Sequence, residues 1–307
     1  MGLTSLEDTI KDQAKKRNNA HFMLVDGMSN LMNEKVKRCD SLDFHAFGLK
    51  WNLVIHSSCV KDYLSLYLCI NDEQCTGSNW KINGSCKLGV VSQTGSPDIC
   101  KPYEVSLDSK YIGFGVDRFI SQEVLKEKFL VNDKAVFYAE ITGVIPKFLN
   151  VTSIPRTMGT AECLKLIEVP RNKSKFTWKI TQFSSFDGEH HSSYEFTVGP
   201  RRWYLEMYPK GCLEGKGNSL SLFLHASDLV SNVVKATTAI FKLRVLDQLK
   251  RKHHEFTNGY RCITNSRKGF NKFLALEELH NPSNGFLVND TIYIGVEFLF
   301  VSTHEYL

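Results

Sequence analysis

Along much of the chain, apolar and polar positions alternate. In "WYLEMY", Trp203, Leu205 and Met207 fall on one side, and Tyr204, Glu206 and Tyr208 on the other. "SLSLFL" sets Leu220, Leu222 and Leu224 against Ser219, Ser221 and Phe223. "AIFKLRVLDQ", residues 239–248, repeats the pattern with its charged positions facing out. A period of two with aromatic and β-branched residues predicts half-buried antiparallel strands. "VGP", "PKG", "GKGN" and "NGY" punctuate these runs as turns. "LALEELHNP", Leu274–Pro282, reads as a short helix, with acids early and a proline at its end. About seven or eight strands in roughly 130 residues predict an antiparallel β-sandwich. Its two sheets bury Trp178, Phe196, Trp203, Leu205, Leu222 and Leu224 between them.

The pattern occurs twice. "FLVND" stands at Phe129–Asp133 and again at Phe286–Asp290. Upstream, "FHAFGLKWNLVI" (Phe44–Ile55) matches "FTVGPRRWYLEM" (Phe196–Met207), and "YLSLYL" (Tyr63–Leu68) matches "SLSLFL" (Ser219–Leu224). "GVDRF" (Gly115–Phe119) matches "GFNKF" (Gly269–Phe273). Blocks in one order at similar spacing indicate an internal duplication. The expected all-β organisation is therefore two tandem sandwiches, at 21–147 and 173–303. A polar tail at 1–20, a linker at 148–172 that can lend a strand to one domain, and a tail at 304–307 complete it.

Totals narrow the chemistry. The 307 residues suit two domains. The net charge of +5 is mild, and "KKR" (Lys15–Arg17) and "KRKHH" (Lys250–His254) are too short to read as a nucleic-acid surface. Nine cysteines cannot all pair internally, and no Cys-x-x-Cys supports a zinc site. The N-terminus has no signal-type apolar core, and "IYIGVEFLFV" reads as a strand rather than a membrane span. These features give an expectation of a cytoplasmic or nuclear protein with no membrane or nucleic-acid partner. No His-Glu-x-x-His and no phosphate-binding glycine loop occurs. "EHH" (Glu189–His191) and "HHE" (His253–Glu255) read as solvated turns. No catalytic residue, metal ligand or cofactor is expected.

The blocks "FTWKITQFS" (Phe176–Ser184), "RRWYLEMYPKG" (Arg201–Gly211), "GNSLSLFL" (Gly217–Leu224), "FKLRVLDQ" (Phe241–Gln248), "KGFNKF" (Lys268–Phe273) and "GFLVNDTIYIGVEF" (Gly285–Phe298) resemble the MATH domain, the meprin and TRAF-homology sandwich. Residues 21–147 resemble the same family more loosely; their opening "HFMLVDGMSNL" keeps Phe22 but lacks the usual Trp. Two such domains with little else are similar to tandem MATH proteins of plants.

The resemblance implies a non-catalytic adaptor that binds extended peptide segments of partner proteins in a groove, with ubiquitin-dependent turnover as one setting. It places Phe223, Phe241, Tyr260 and Phe270 in that groove, with Arg267 and Lys268 where the family usually carries a Trp. Two cations there favour an acidic segment. In the first repeat the groove is poorer: Tyr67 and Phe114 remain, while Cys86, Ser106 and Val116 replace Phe241, Tyr260 and Phe270. The alternation independently turns Phe223 away from Leu222 and Leu224, and so toward an exposed patch. Alternatives are an accessory relative of a MATH-containing deubiquitinase or protease, and a lectin-like sandwich. With neither a coiled coil nor a BTB segment in sight, a monomer or weak oligomer is expected.

Overall fold

The computed structural model describes residues 5–57, 59–71, 75, 79–147, 157–186, 190–227, 236–262 and 267–307, with backbone alone at 236 and 259–262. It divides into two units. One comprises Met1–Leu166 with Thr303–Leu307, the other Ile167–Ser302.

The first unit begins with helix α1 (Leu6–Lys16), then β1 (Ala20–Asp26), α2 (Met28–Met32), β2 (Arg38–Asp40), β3 (Phe44–Ala46), β4 (Leu49–His56) and β5 (Tyr63–Ile70). It continues with β6 (Lys81–Val91), β7 (Ile99–Asp108), β8 (Gly113–Ser121), α3 (Gln122–Lys128), β9 (Lys134–Lys147) and β10 (Thr160–Ile167). One sheet runs β10-β1-β9-β6-β7; the other runs β2-β4-β5-β8, with β3 on β4. Strands β1 and β10 are parallel; the other pairs are antiparallel.

In the second unit, β11 (Lys175–Thr181), β12 (His191–Ser192), β13 (Phe196–Val198), β14 (Arg201–Tyr208), β15 (Ser219–Ala226), β16 (Ala236–Val245), β17 (His254–Cys262), β18 (Arg267–Ala275), α4 (Leu276–His280) and β19 (Thr291–Tyr306, whose last residues from Thr303 belong to the first unit) follow in order. β17-β16-β19, with β11 on β19, form one sheet; β12-β14-β15-β18, with β13 on β14, form the other. Both units are thus antiparallel-dominated sandwiches.

Trp203, Leu205, Leu222 and Leu224 are fully buried, as the alternation requires, whereas Trp178 and Phe196 pack on the margin of that core. Burying such side chains stabilises by about 1.5–3 kcal/mol each. The helix is shorter at its start than its pattern suggests. Leu274 and Ala275 stay in β18, where Leu274 is buried and pairs with Leu220, and Ala275 pairs with Ser219.

The repeated "FLVND" is a hairpin in both units. Val131 bridges Lys134, and Val288 bridges Thr291. The Asn-Asp pair between them turns left-handed, with φ of 51° and 61° at Asn132 and Asp133, and 48° and 55° at Asn289 and Asp290. Asn and Asp tolerate that region better than other side-chain-bearing residues. Each Asp also clamps the start of its unit. Asp133 accepts from the Ser29 backbone N–H and hydroxyl (both 2.8 Å), and Asp290 from those of Ser184 (2.8 and 2.7 Å).

Both segments expected to be tails carry structure, as does the linker, which was expected to lend a strand. Residues 6–16 form α1, capped by the Ser5 hydroxyl on Asp8 N–H. Leu6, Ile10 and Ala14, spaced four apart, make one apolar stripe against Phe22, Val136, Tyr138 and Ala161. That stripe is enough to dock a helix that is polar elsewhere. Residues 160–167 of the linker form β10, held in register on β1. The C-terminal tail is also ordered: Thr303–Tyr306 end β19, and the Leu307 N–H donates to Ala161 O at 2.9 Å. Among the described residues, no helix is long and apolar enough to cross a membrane.

Candidate partner-binding face

The alternation of β14 and β15 determines what the second unit shows to solvent. Trp203, Leu205 and Met207 enter the core, so Tyr204, Glu206 and Tyr208 stand on the outer face. Leu222 and Leu224 likewise send Phe223 and His225 outward. Pairing places Phe223 beside Glu206 and Gly269, and His225 beside Tyr204 and Arg267. Gly269 is required at this crossing. A Cβ there would stand 2.0 Å from Leu222 O.

These residues form one connected network. The Tyr204 ring stacks on His225 (4.6 Å between centroids), with 3.1 Å between Tyr204 Oη and His225 Nδ1. His225 Nε2 lies 3.0 Å from Glu206 Oε2. Arg267 Nη1 donates to the same oxygen and to Tyr208 Oη, both at 2.9 Å. Its guanidinium lies 4.3 Å from the centre of the Phe223 ring, and Tyr208 meets that ring edge-on. The electrostatics follow. Burial lowers the His225 pKa; Arg267 and His190 add to that, against the opposing pull of Glu206. Burial also works against the Arg267 charge, but Tyr208 and Glu206 outweigh it and raise its pKa. Burial raises the Tyr204 pKa, and Glu206 and Glu195 raise it further.

A second cluster sits on the other side of β18. Phe256 on β17 is exposed, with its ring 5.2 Å from Phe270 and 5.7 Å from Phe273. Phe270 pairs with Leu222, and Lys268 with Leu224. Lys268 and Phe270 therefore share a face, opposite to that of Arg267. Lys268 is exposed. In its sheet β18 is the terminal strand among the described residues.

The six residues placed in one groove by the sequence reading thus separate. Phe223 and Arg267 lie on the outer face, and Lys268 and Phe270 on the opposite face of β18. Phe223 faces outward but is covered rather than exposed, because Arg267 lies flat on it. Phe241 belongs to neither cluster. It is fully buried in the core with Ala239, Leu243 and Val245, and reaches Phe298 at 6.3 Å. The alternation of "AIFKL" already carried this, since Phe241 shares the parity of Leu243 and the opposite parity of Lys242. Tyr260 pairs with Ala239 along the backbone; its side chain lies outside the described residues.

In the first unit, Tyr67 and Phe114 do not form a shared groove. Tyr67 faces outward over Gly115 and donates to Asp117 Oδ1. Phe114 pairs with Leu68 on the core side and tilts against Tyr103 at 5.3 Å. Cys86 is buried, as its counterpart Phe241 is.

Tyr204, Glu206, Tyr208, His225 and Phe256 were missed as site residues. The parity of "WYLEMY" had placed the first three on the solvent face; what the sequence hid was the strand pairing that joins them to Arg267. No group of three or more His, Cys, Asp or Glu among the described residues could hold a metal ion.

The family described as MATH domain matches residues 20–141 and 175–298. Ubiquitin C-terminal hydrolase 12 of Arabidopsis thaliana is 35% identical over 131 residues, 40% of this chain and 11% of that protein. A MATH domain and coiled-coil domain-containing protein of Arabidopsis thaliana is 34% identical over 129 residues, 41% of this chain and 46% of that protein. TRAF5 of Notothenia coriiceps, a solved structure, is 24% identical over 41% of this chain and 73% of its own, with a TM-score of 0.35. The chain spans about a tenth of the hydrolase and under half of the coiled-coil protein.

Proposed function

Because the chain belongs to the MATH-domain family, we propose that it is a protein-interaction adaptor whose second unit takes up an extended segment of a partner along β18. The observation that carries this reading is the two-sidedness of that terminal strand. A segment paired with its free edge has side chains that alternate between the two faces. One set meets Arg267 and the covered Phe223; the other meets Lys268, Phe270 and Phe256. Main-chain hydrogen bonds then supply affinity, and the flanking groups supply selectivity. Lys268 favours a carboxylate on the partner, while Phe256 and Phe270 favour an apolar residue two positions away.

In this reading the chain performs no chemistry of its own. Its match to the hydrolase covers only 11% of that protein's length. Recruitment of partners for ubiquitin-dependent turnover is the setting we favour. A single site of this kind gives micromolar-range affinity, the regime of a monomeric module without avidity.

The test is selection of random peptides displayed on phage against the full chain, with the recovered peptides measured by fluorescence polarisation. Acidic-apolar segments should bind, Phe270→Ala should weaken them at least tenfold, and Lys268→Glu should reverse the charge preference. Equal binding by all three proteins would remove β18 from the site.

A further inference from the structure

The core of the first unit holds a charge that the sandwich does not need. Glu162, on β10, is entirely buried. One of its oxygens, Oε2, accepts from the Leu42 N–H at 2.8 Å. The other faces two imidazoles: His21 Nε2, from β1, at 3.7 Å, and His304 Nδ1, from the terminal residues 303–307, at 3.8 Å. His21 is fully buried and His304 nearly so. None of these three facing atoms has a hydrogen-bond partner. On its far side His21 Nδ1 meets the Thr160 hydroxyl at 2.8 Å, and the His21 ring stacks on Phe44 at 4.7 Å.

The second unit shows what this position requires for folding alone. Phe176 stands eight residues before Ser184, as His21 stands eight before Ser29. It stacks on Phe196, the partner of Trp203, as His21 stacks on Phe44, the partner of Trp51. A phenyl ring therefore serves the packing. Three buried polar side chains are costly in its place unless they answer one another. Burial pushes the Glu162 carboxyl up, yet the two imidazoles outweigh it and hold it down at about 2. They are the charged or titratable side chains that act on it; Leu42, Thr160 and Phe44 bring no charge from their elements.

We propose that His21, Glu162 and His304 form a proton-operated clasp that fastens residues 303–307 onto β10. With one proton on the imidazoles, an imidazolium closes on the ionised carboxylate, and Leu307 remains seated by Ala161. When that proton passes to solvent, the carboxylate is left buried without a counter-charge, and the terminal segment detaches. The sign is opposite to ordinary acid release. Glu162 keeps its charge down to about pH 2, so the clasp holds on the acid side and opens as the pH rises.

Hydrogen exchange of the full chain, read by mass spectrometry on the C-terminal peptide, tests this between about pH 6 and about pH 9. Corrected for intrinsic rates, protection of residues 303–307 should fall at least tenfold on going to the higher pH, while α3 stays unchanged. In Glu162→Gln the carboxylate is gone, and the pH dependence of that peptide should vanish. Nitrogen-15 spectra of the wild-type imidazoles supply a reading that needs no variant. One imidazolium shared between His21 and His304 near neutrality supports the clasp. Two imidazoles that stay neutral throughout would overturn it. So would protection that is flat with pH, or zinc that raises the melting temperature of the wild type but not of His304→Gln, since the site would then take a metal.

Discussion

The two units share a framework down to single hydrogen bonds and differ in what they place on it. Trp51 Nε1–H donates to Ala46 O and Trp203 Nε1–H to Val198 O, both at 3.0 Å. Gln93 Nε2 donates to the carbonyls of Phe129 and Lys134, as Gln248 Nε2 does to those of Phe286 and Thr291. Leu53 N–H donates to the Ser41 hydroxyl, and Leu205 N–H to that of Ser193. Even the register shift in the fifth strand of each unit recurs, between Leu64 and Leu66 in β5 and between Leu220 and Leu222 in β15. These contacts satisfy buried backbone groups and fix turns, which any sandwich of this pattern must do.

The outer faces have diverged. Tyr204, Glu206, Tyr208, His225 and Arg267 correspond to Asn52, Val54, His56, Cys69 and Gly113. The first unit thus has no carboxylate or guanidinium at those positions; its ion pair on that face, Arg38 with Asp40, comes instead from β2, beside His56 and Val54. It satisfies its remaining aromatic, Tyr67, locally on Asp117. The lesson is that packing positions and surface positions on one strand answer to separate demands.

The sharpest break of this comparison is in the shared core. Trp51→Ala and Trp203→Ala each remove a fully buried indole and its hydrogen bond to the preceding turn. Each should cost about 3–5 kcal/mol, measured by denaturant unfolding of the full chain. Equal losses mean that the frameworks are equivalent; a loss confined to one unit would break the equivalence.

Next in size is the outer face. Arg267→Ala uncovers Phe223 and leaves Glu206 with His225 at 3.0 Å and His190 at 4.0 Å. Discounted for its partial exposure, the change should cost about 1–2 kcal/mol. It should also raise the His225 pKa, because Arg267 is one of the charges that lower it. With the folded value depressed, the unfolded chain binds more protons, and stability from this group falls as the pH drops through the histidine range. Arg267→Ala should flatten that dependence, a shift readable by NMR titration of His225. The first unit offers a matched control. Burial lowers the His56 pKa and Arg38 adds to it, against the opposing Asp40, so Arg38→Ala should raise His56 and leave His225 untouched. If Arg267→Ala moved neither, the outer network would be decoration on a packing surface.

Much of this was legible because strand parity is local. The sequence alone yields the duplication, the sandwich class, and the inward Trp203, Leu205, Leu222 and Leu224. The same parity assigns Phe241 to the core, so its placement in a groove followed from the family resemblance against the residues' own pattern. What stayed hidden depends on partners distant in sequence. Nothing near Glu162 announces that His21 and His304 will face it across two neighbouring strands. Arg267 reads as a free cation until β15 brings Phe223 and β14 brings Glu206 beneath it. The docking of α1 was hidden for another reason: three apolar residues are too few for a free helix but sufficient against a preformed sheet.

The finest test exchanges one atom between the units. Tyr67 and Phe223 occupy the same position, each beside a glycine, Gly115 and Gly269. They differ in the hydroxyl, which in Tyr67 donates to Asp117 and lies 3.7 Å from Cys59 Sγ. Tyr67→Phe removes that bond and leaves Asp117 to solvent, since the pair is partly exposed. The expected loss is about 1 kcal/mol. Phe223→Tyr adds a hydroxyl under Arg267, whose Nη1 is already shared between Glu206 and Tyr208. A new acceptor there gains little, and stability should change by less than about 0.5 kcal/mol. Partner binding separates the two units further. If the second unit is the recognition surface, Phe223→Tyr should alter peptide affinity severalfold, while Tyr67→Phe leaves it unchanged. The reverse ranking would transfer the binding face to the first unit and make the Arg267 network its structural counterpart.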